Sequence, residues 1–261
     1  MILILAVGRR RLHLLLGIIL VVLIILFAPP LALNLTEKAI EAVTGSSRLV
    51  PIYYVETPEK KVAFSFDASW GAERTPKILD ILDKNEIKTT FFLTGIWVED
   101  YPEMVREIHN RGHELGNHTL THADLATISA DDIRRELLGV EEMIKENCGQ
   151  ETTLMRPPFG SYNNQVISVA TELGYKTIQW SIDSLDWKEI GPQEIISRVT
   201  KNAHNGAIIL FHNNGKHTAD VLQEIIDYYH AEGYEIVPIS ELIYHENYYI
   251  SPHSGAQIRQ D

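Results

Sequence analysis

The sequence predicts an α/β fold of parallel βαβ units, arranged as a barrel or an open sheet. Short β-branched and aromatic runs alternate with helical apolar stripes from Lys60 onward. Two runs, 62–66 and 207–211, are apolar almost throughout, as strands covered on both faces are. Glycine or proline marks many of the junctions.

The elements follow in chain order. Residues 62–66 (Val-Ala-Phe-Ser-Phe) read as a buried strand. A helix over 75–84 starts near Pro76 and aligns Ile78, Leu79, Ile81 and Leu82 in one stripe. Residues 89–93 form a second strand, 102–110 a helix stopped by Gly112, and 114–117 a third strand. The longest helix, 129–147, has Ser129 and Asp132 at its start and Gly149 past its end. A helix over 163–173 closed by Gly174 and a strand over 176–180 come next. They are followed by a helix over 192–202 and the buried strand over 207–211. A helix over 218–231 runs up to Gly233, 235–237 is the last strand, and Ser240 caps a short final helix. Residues 36–59 read as a linker or N-terminal extension and 251–261 as a polar tail, leaving 60–250 as the domain. No Gly-x-Gly-x-x-Gly follows any strand, so a dinucleotide-binding fold has no support.

The 261 residues suffice for a full core, and 35 acidic against 23 basic side chains give a net charge of −12. An acidic surface argues against nucleic acid as a partner, because phosphate binding needs a basic patch. A single cysteine, Cys148, excludes an intramolecular disulfide and any Cys-x-x-Cys site. Ahead of the domain, Arg9, Arg10 and Arg11 precede a nearly unbroken apolar run over 12–33. Roughly 20 apolar residues span a membrane and arginines stay on its cytoplasmic side. Residues 1–35 therefore read as a transmembrane anchor that holds the domain outside. A cleaved signal peptide is the alternative, although prolines stand where a cleavage site wants small residues. Without the three arginines, the exported part carries −15.

Chemistry-bearing residues gather where strands end, the face at which barrels of this kind do chemistry. Asp67 ends the first strand, although an aspartate there also suits a turn cap. The third strand runs into His118-Thr-Leu-Thr-His122. Two histidines four apart share a face if the segment turns helically, and both imidazoles then reach one cation. Arg156-Pro-Pro-Phe-Gly160 joins a cation to a stiff backbone that can aim an amide N–H at an oxyanion. Asp183-Ser-Leu-Asp186-Trp187 sets carboxylates beside an aromatic wall, and Leu210-Phe-His212 delivers a histidine at the end of a buried strand. Each has a bland reading: surface histidines, a proline turn, a solvated acidic loop. Five at successive strand ends are hard to explain as independent accidents.

In this order the five motifs resemble those of the NodB-type polysaccharide deacetylases, carbohydrate esterase family 4. The stretches 90–95 (Thr-Phe-Phe-Leu-Thr-Gly) and 111–117 (Arg-Gly-His-Glu-Leu-Gly-Asn) fit the same pattern. The resemblance covers about residues 60–244 and is closest to the family's sporulation-associated branch. It implies a distorted (β/α)7-type barrel, the NodB homology domain, and metal-dependent removal of N-acetyl groups from an amino-sugar polymer such as peptidoglycan. It implies Asp67 as general base, Arg156 as its charge partner, and His118 and His122 as ligands of a divalent metal, zinc by ligand type. It further implies the Phe159 N–H as oxyanion donor and His212 as general acid, oriented by Asp186. Trp187 and Leu210 would wall a pocket for the acetyl methyl group.

The sequence departs from the family at Ala68, where a second aspartate would complete the metal triad. The site then has one ligand fewer than the usual three, unless Asn117 or Ser69 substitutes. A glycan-binding relative without turnover is the competing reading, and an O-acetyl esterase is a third. The retained Asp67, His118, His122, Arg156 and His212 favour the deacetylase.

Overall fold

The computed structural model describes residues 48–188 and 190–260. The chain divides into two units, Met1–Arg48 and Leu49–Asp261, and every described element lies in the second. The expected anchor over 1–35, and 36–47 of the expected linker, lie outside the described residues. Among the described residues no helix is long and apolar enough to cross a membrane.

The second unit opens with β1 (Tyr54–Val55), β2 (Lys61–Ala68), α1 (Thr75–Lys84), β3 (Thr90–Leu93), α2 (Gly95–Asp100) and α3 (Pro102–Asn110). It continues with β4 (Glu114–Asn117), α4 (Ala130–Cys148), β5 (Leu154–Met155), α5 (Asn164–Glu172), β6 (Lys176–Thr177) and β7 (Ile182–Asp183). The last elements are α6 (Pro192–Lys201), β8 (Ile208–His212), α7 (Thr218–Ala231), β9 (Glu235–Ile236), α8 (Ile239–Leu242), β10 (Tyr248–Ile250) and β11 (Ala256–Arg259).

Eight strands form one parallel sheet in the order β6-β5-β4-β3-β2-β8-β7, with β9 paired to β2 off that path. The path ends at β6 and β7, so the expected barrel is an incomplete, half-barrel form of the α/β class. β2 lies between β3 and β8 and is buried at every residue after Lys61, which is why its sequence is apolar on both faces. Phe66 stacks on Phe91 and Phe211 at ring separations of 4.9 and 5.4 Å, and Phe64 meets Tyr229 of α7 edge-on at 5.3 Å. Burying each such ring contributes about 2–3 kcal/mol. α4 buries Ile133, Leu137, Val140 and Ile144 along one stripe. The Ser129 hydroxyl accepts the Asp132 N–H at its start, and Gly149 ends it in the left-handed conformation at φ 71°.

Several expectations are corrected. The strand expected over 176–180 shortens to β6 (Lys176–Thr177), paired with β5 at one end of the sheet, and the unforeseen β7 (Ile182–Asp183) follows it, paired with β8 at the other. Ser240 lies inside α8, whose N-cap is Pro238. α2 went unforeseen; the Thr94 hydroxyl caps it by accepting the Trp97 N–H at 3.2 Å. Residues 251–260 of the expected polar tail are not a tail, since β11 pairs with β1 and β10 in a three-stranded sheet. Nor do residues 49–59 act as a linker: Ile52 and Val55 are buried in the apolar cluster that also holds Ile178 and Ile208. The folded unit therefore reaches beyond 60–250 at both ends.

Candidate active site

Parallel strands bring their C-terminal ends to one face, and a cleft of about 860 Å³ opens there. The expected residues Asp67, His118, His122, Phe159, Asp186, Trp187, Leu210 and His212 all line it. Arg156 lies behind them, completely buried. Register explains the convergence: Asp67 on β2 stands directly opposite His212 on β8.

The Arg156 guanidinium donates to Asp67 Oδ1 at 2.7 Å, to Ser65 Oγ at 2.9 Å and to the Gln179 carbonyl at 3.3 Å. It also stands 4.2 Å from the Phe92 ring centroid, a cation–π contact. Burial works to raise the Asp67 pKa, but Arg156, His118 and His212 together outweigh it and hold the carboxyl below its ordinary value. Asp67 is therefore ionised at neutral pH although only 5% exposed.

His118 donates its Nδ1–H to the Arg156 carbonyl at 2.8 Å, which leaves Nε2 bare, 3.5 Å from Asp67 Oδ2. The His122 ring centroid is 5.1 Å from that of His118. Burial lowers both imidazole pKa values, His122 to about 4, so both are neutral donors at pH 7. The two do not meet by helical spacing. The segment is a loop turned by positive φ at Thr119 (73°) and His122 (58°), and pinned where Gly95 and Ile96 donate to the Thr119 and Leu120 carbonyls. Trp70 and Phe159 each meet the His122 ring edge to face, with ring centroids 4.8 and 4.7 Å from it.

This donor set fits a divalent cation held by two imidazoles. The orienting bond from His118 Nδ1 to a carbonyl is the outer-shell arrangement typical of metal-bound histidine. A third ligand is not supplied in the usual way: among the described residues no group of three His, Cys, Asp or Glu converges. Ala68 is fully buried in the apolar core. Asn117 is no substitute, because its amide donates to the Leu137 carbonyl and Tyr175 hydroxyl and accepts the Thr119 N–H. Ser69 does line the cleft.

On the other side, His212 Nδ1 donates to Asp186 Oδ1 at 2.8 Å. Burial works to lower the His212 pKa, but Asp186, aided by Asp67 and Asp183, more than offsets it and raises the value. Phe159 sits at φ 60°, and among the described residues its N–H takes no part in backbone hydrogen bonds. Thr119, His122, Phe159 and Leu185 are four of the six non-glycine residues with positive φ among those described, and all four lie in loops carrying the site. Such conformations cost about 1–3 kcal/mol each and persist where surroundings impose them. Sequence reasoning missed Ser65, Gln179 and Thr218. Ser65 was detectable, since it lies two residues from Asp67 on one strand face; Gln179 and Thr218 act through contacts that no spacing encodes.

Residues 54–178 match the family described as polysaccharide deacetylase. The chain is similar to the peptidoglycan-N-acetylmuramic acid deacetylase PdaA of Bacillus subtilis, with 35% identity over 74% of each protein. It is 36% identical to a peptidoglycan-N-acetylglucosamine deacetylase of Bacillus cereus, over 70% of this chain and 68% of that one. Among solved structures, BA3943 of Bacillus anthracis, described as a CE4 family pseudoenzyme, matches with a TM-score of 0.72 and 34% identity, covering 77% of this chain and 70% of that one. With the fold, the five motifs and these identities in agreement, the chain belongs to the polysaccharide deacetylase family.

Proposed function

We propose that the chain is a hydrolase of non-peptide carbon–nitrogen bonds that removes N-acetyl groups from peptidoglycan. One observation carries the reading: an ionised carboxylate, Asp67, and a histidine made more basic, His212, face each other across adjacent strands. Amide hydrolysis needs these two groups, a base for water and an acid for nitrogen. Water attacks the acetamide carbonyl carbon and gives its proton to Asp67. The carbonyl electron pair moves onto oxygen, where the Phe159 N–H donates to it. The C–N bond breaks as His212 passes its remaining ring proton to the nitrogen, releasing acetate and a free amine. Leu210 and Trp187 enclose the methyl group. When bound by His118 and His122, a divalent cation, zinc on imidazole donor chemistry, supplies Lewis-acid polarisation at this point.

The relatives that act on peptidoglycan support the substrate class. The arginines at 9–11 and the apolar run over 12–33 support an extracytoplasmic domain held by an N-terminal anchor, with work on the envelope or the spore wall. A second reading, glycan binding without turnover, is favoured by Ala68 and by the likeness to a pseudoenzyme. Acetate release from purified peptidoglycan, with added zinc and with chelator, separates them. Chelator-sensitive release is the expected result; none across a panel of metals and glycans favours the second reading.

A further inference from the structure

Arg74, Asn214 and Lys216 also line the cleft, and the hydrolytic scheme uses none of them. Both hydrogen bonds of the Arg74 guanidinium come from Nη1, to the Asn214 Oδ1 at 2.8 Å and the Asn214 carbonyl at 3.3 Å. The rest of that fork makes no hydrogen bond among the described residues and can meet a second acceptor. Lys216 is exposed at the cleft. Among the described residues, neither cation has a carboxylate within ion-pair distance, although the protein carries a net −12 and pairs many of its other cations with acids. The carboxylates of the cleft are already engaged. Asp67 holds Arg156, Asp186 holds His212 and Thr218, and Asp183 accepts the Leu185 N–H. Two cations with no ion-pair partner among the described residues therefore line the cleft that holds the reacting groups, and Asn214 follows His212 by two residues in the chain.

We propose that Arg74 and Lys216 bind a carboxylate on the glycan. A guanidinium held by a neutral amide, with an ammonium lining the same cleft, suits charge-assisted hydrogen bonds to such a group. The chain then selects an N-acetyl amino sugar bearing an acid next to the scissile acetamide, as the lactyl ether of N-acetylmuramic acid does, over neutral N-acetylglucosamine. The identity of the glycan rests on the deacetylase reading; the carboxylate site itself does not need turnover.

The test is equilibrium binding to the full chain in detergent, followed through the fluorescence of Trp70 and Trp187, which line the cleft. The probes are peptide-free glycan strands with free lactyl carboxylates, the same strands methyl-esterified, and strands still carrying stem peptides. Free-acid strands are expected to bind at least about tenfold more tightly than esterified ones. Lys216→Met and Arg74→Gln should each reduce that ratio, and Lys216→Arg should keep it; Lys216 is exposed, so its replacement leaves the fold intact. Equal affinity for free and esterified strands overturns the proposal. A preference confined to peptide-bearing strands moves the carboxylate to the peptide and overturns the lactyl assignment. Acetate release is followed on the same samples. A carboxylate preference without acetate refutes deacetylation and keeps the site, and acetate without a preference does the reverse.

Discussion

Asp186 holds His212 at two points. Its Oδ1 accepts the ring Nδ1–H and its Oδ2 the backbone N–H, both at 2.8 Å, while the Thr218 hydroxyl donates to the same Oδ2 at 2.6 Å. The ring is thereby fixed in orientation, and its raised pKa keeps the imidazolium populated above pH 6.5. Asp186→Asn preserves shape and removes the charge. The alkaline limb of the rate profile should move to lower pH, and turnover at pH 8 should fall about 100-fold. A profile of unchanged position assigns that limb to another group.

Arg156 and Asp67 form a buried pair in which each neutralises the other. Removing one charge leaves the other unpaired in a dry site, at a cost of about 3–5 kcal/mol. Asp67→Asn should therefore abolish turnover and also lower the urea midpoint, a stability cost that the position of Asp67 at a strand end did not announce. Adding Arg156→Met to Asp67→Asn should recover part of the stability and none of the activity. Full stability in the single variant would mean that water reaches the pair.

His113 is a buried histidine outside the cleft. Its Nδ1 accepts the Thr89 N–H at 3.3 Å, and its Nε2 has no hydrogen-bond partner among the described residues. Burial, with Lys88 nearby, pushes its pKa down to about 4 from 6.5. The folded state thus favours the neutral ring, so this stabilisation is present above pH 6.5 and is lost as pH falls toward 4. The unfolded chain binds the extra proton in that window, which amounts to about 3 kcal/mol. His113→Gln keeps an acceptor for Thr89 and should flatten the fall in stability between pH 7 and pH 4.5. Denaturant melts across that range check it; parallel curves for the two proteins would assign the acid sensitivity to other groups such as His122.

The sequence shows the site more fully than the fold's margins. Asp67, His118, Arg156, Asp186 and His212 stand at strand ends, where an apolar run stops and a polar side chain follows, so linear order alone points to them. Helices with a stripe and a glycine stop, such as α3, α4 and α7, are legible for the same reason. What pattern cannot show is pairing between distant segments. β1 and β11 are short and weakly apolar, and become strands through pairing across the chain, β1 with β11 and β11 also with β10. The loop holding His122 is likewise invisible to periodicity, since its geometry comes from positive φ and from contacts with the start of α2.

Gln257 makes the end of the chain part of the fold. It is fully buried on β11; its Oε1 accepts the Tyr244 N–H at 2.8 Å and its Nε2 donates to the Tyr244 carbonyl at 2.7 Å. The Gln257 carbonyl also accepts the Glu56 N–H at 2.9 Å, which ties this end of the domain to the segment before β2. Gln257→Ala leaves both backbone groups of Tyr244 without their partner. An unsatisfied buried group costs about 1–3 kcal/mol, so the variant should lose about 2–4 kcal/mol in urea unfolding. Gln260→Ala, three residues on and exposed, should stay within about 0.5 kcal/mol of the parent. If the two variants unfold at the same urea concentration as the parent, residues 251–260 contribute no stability, and the three-stranded sheet is not part of the cooperative unit.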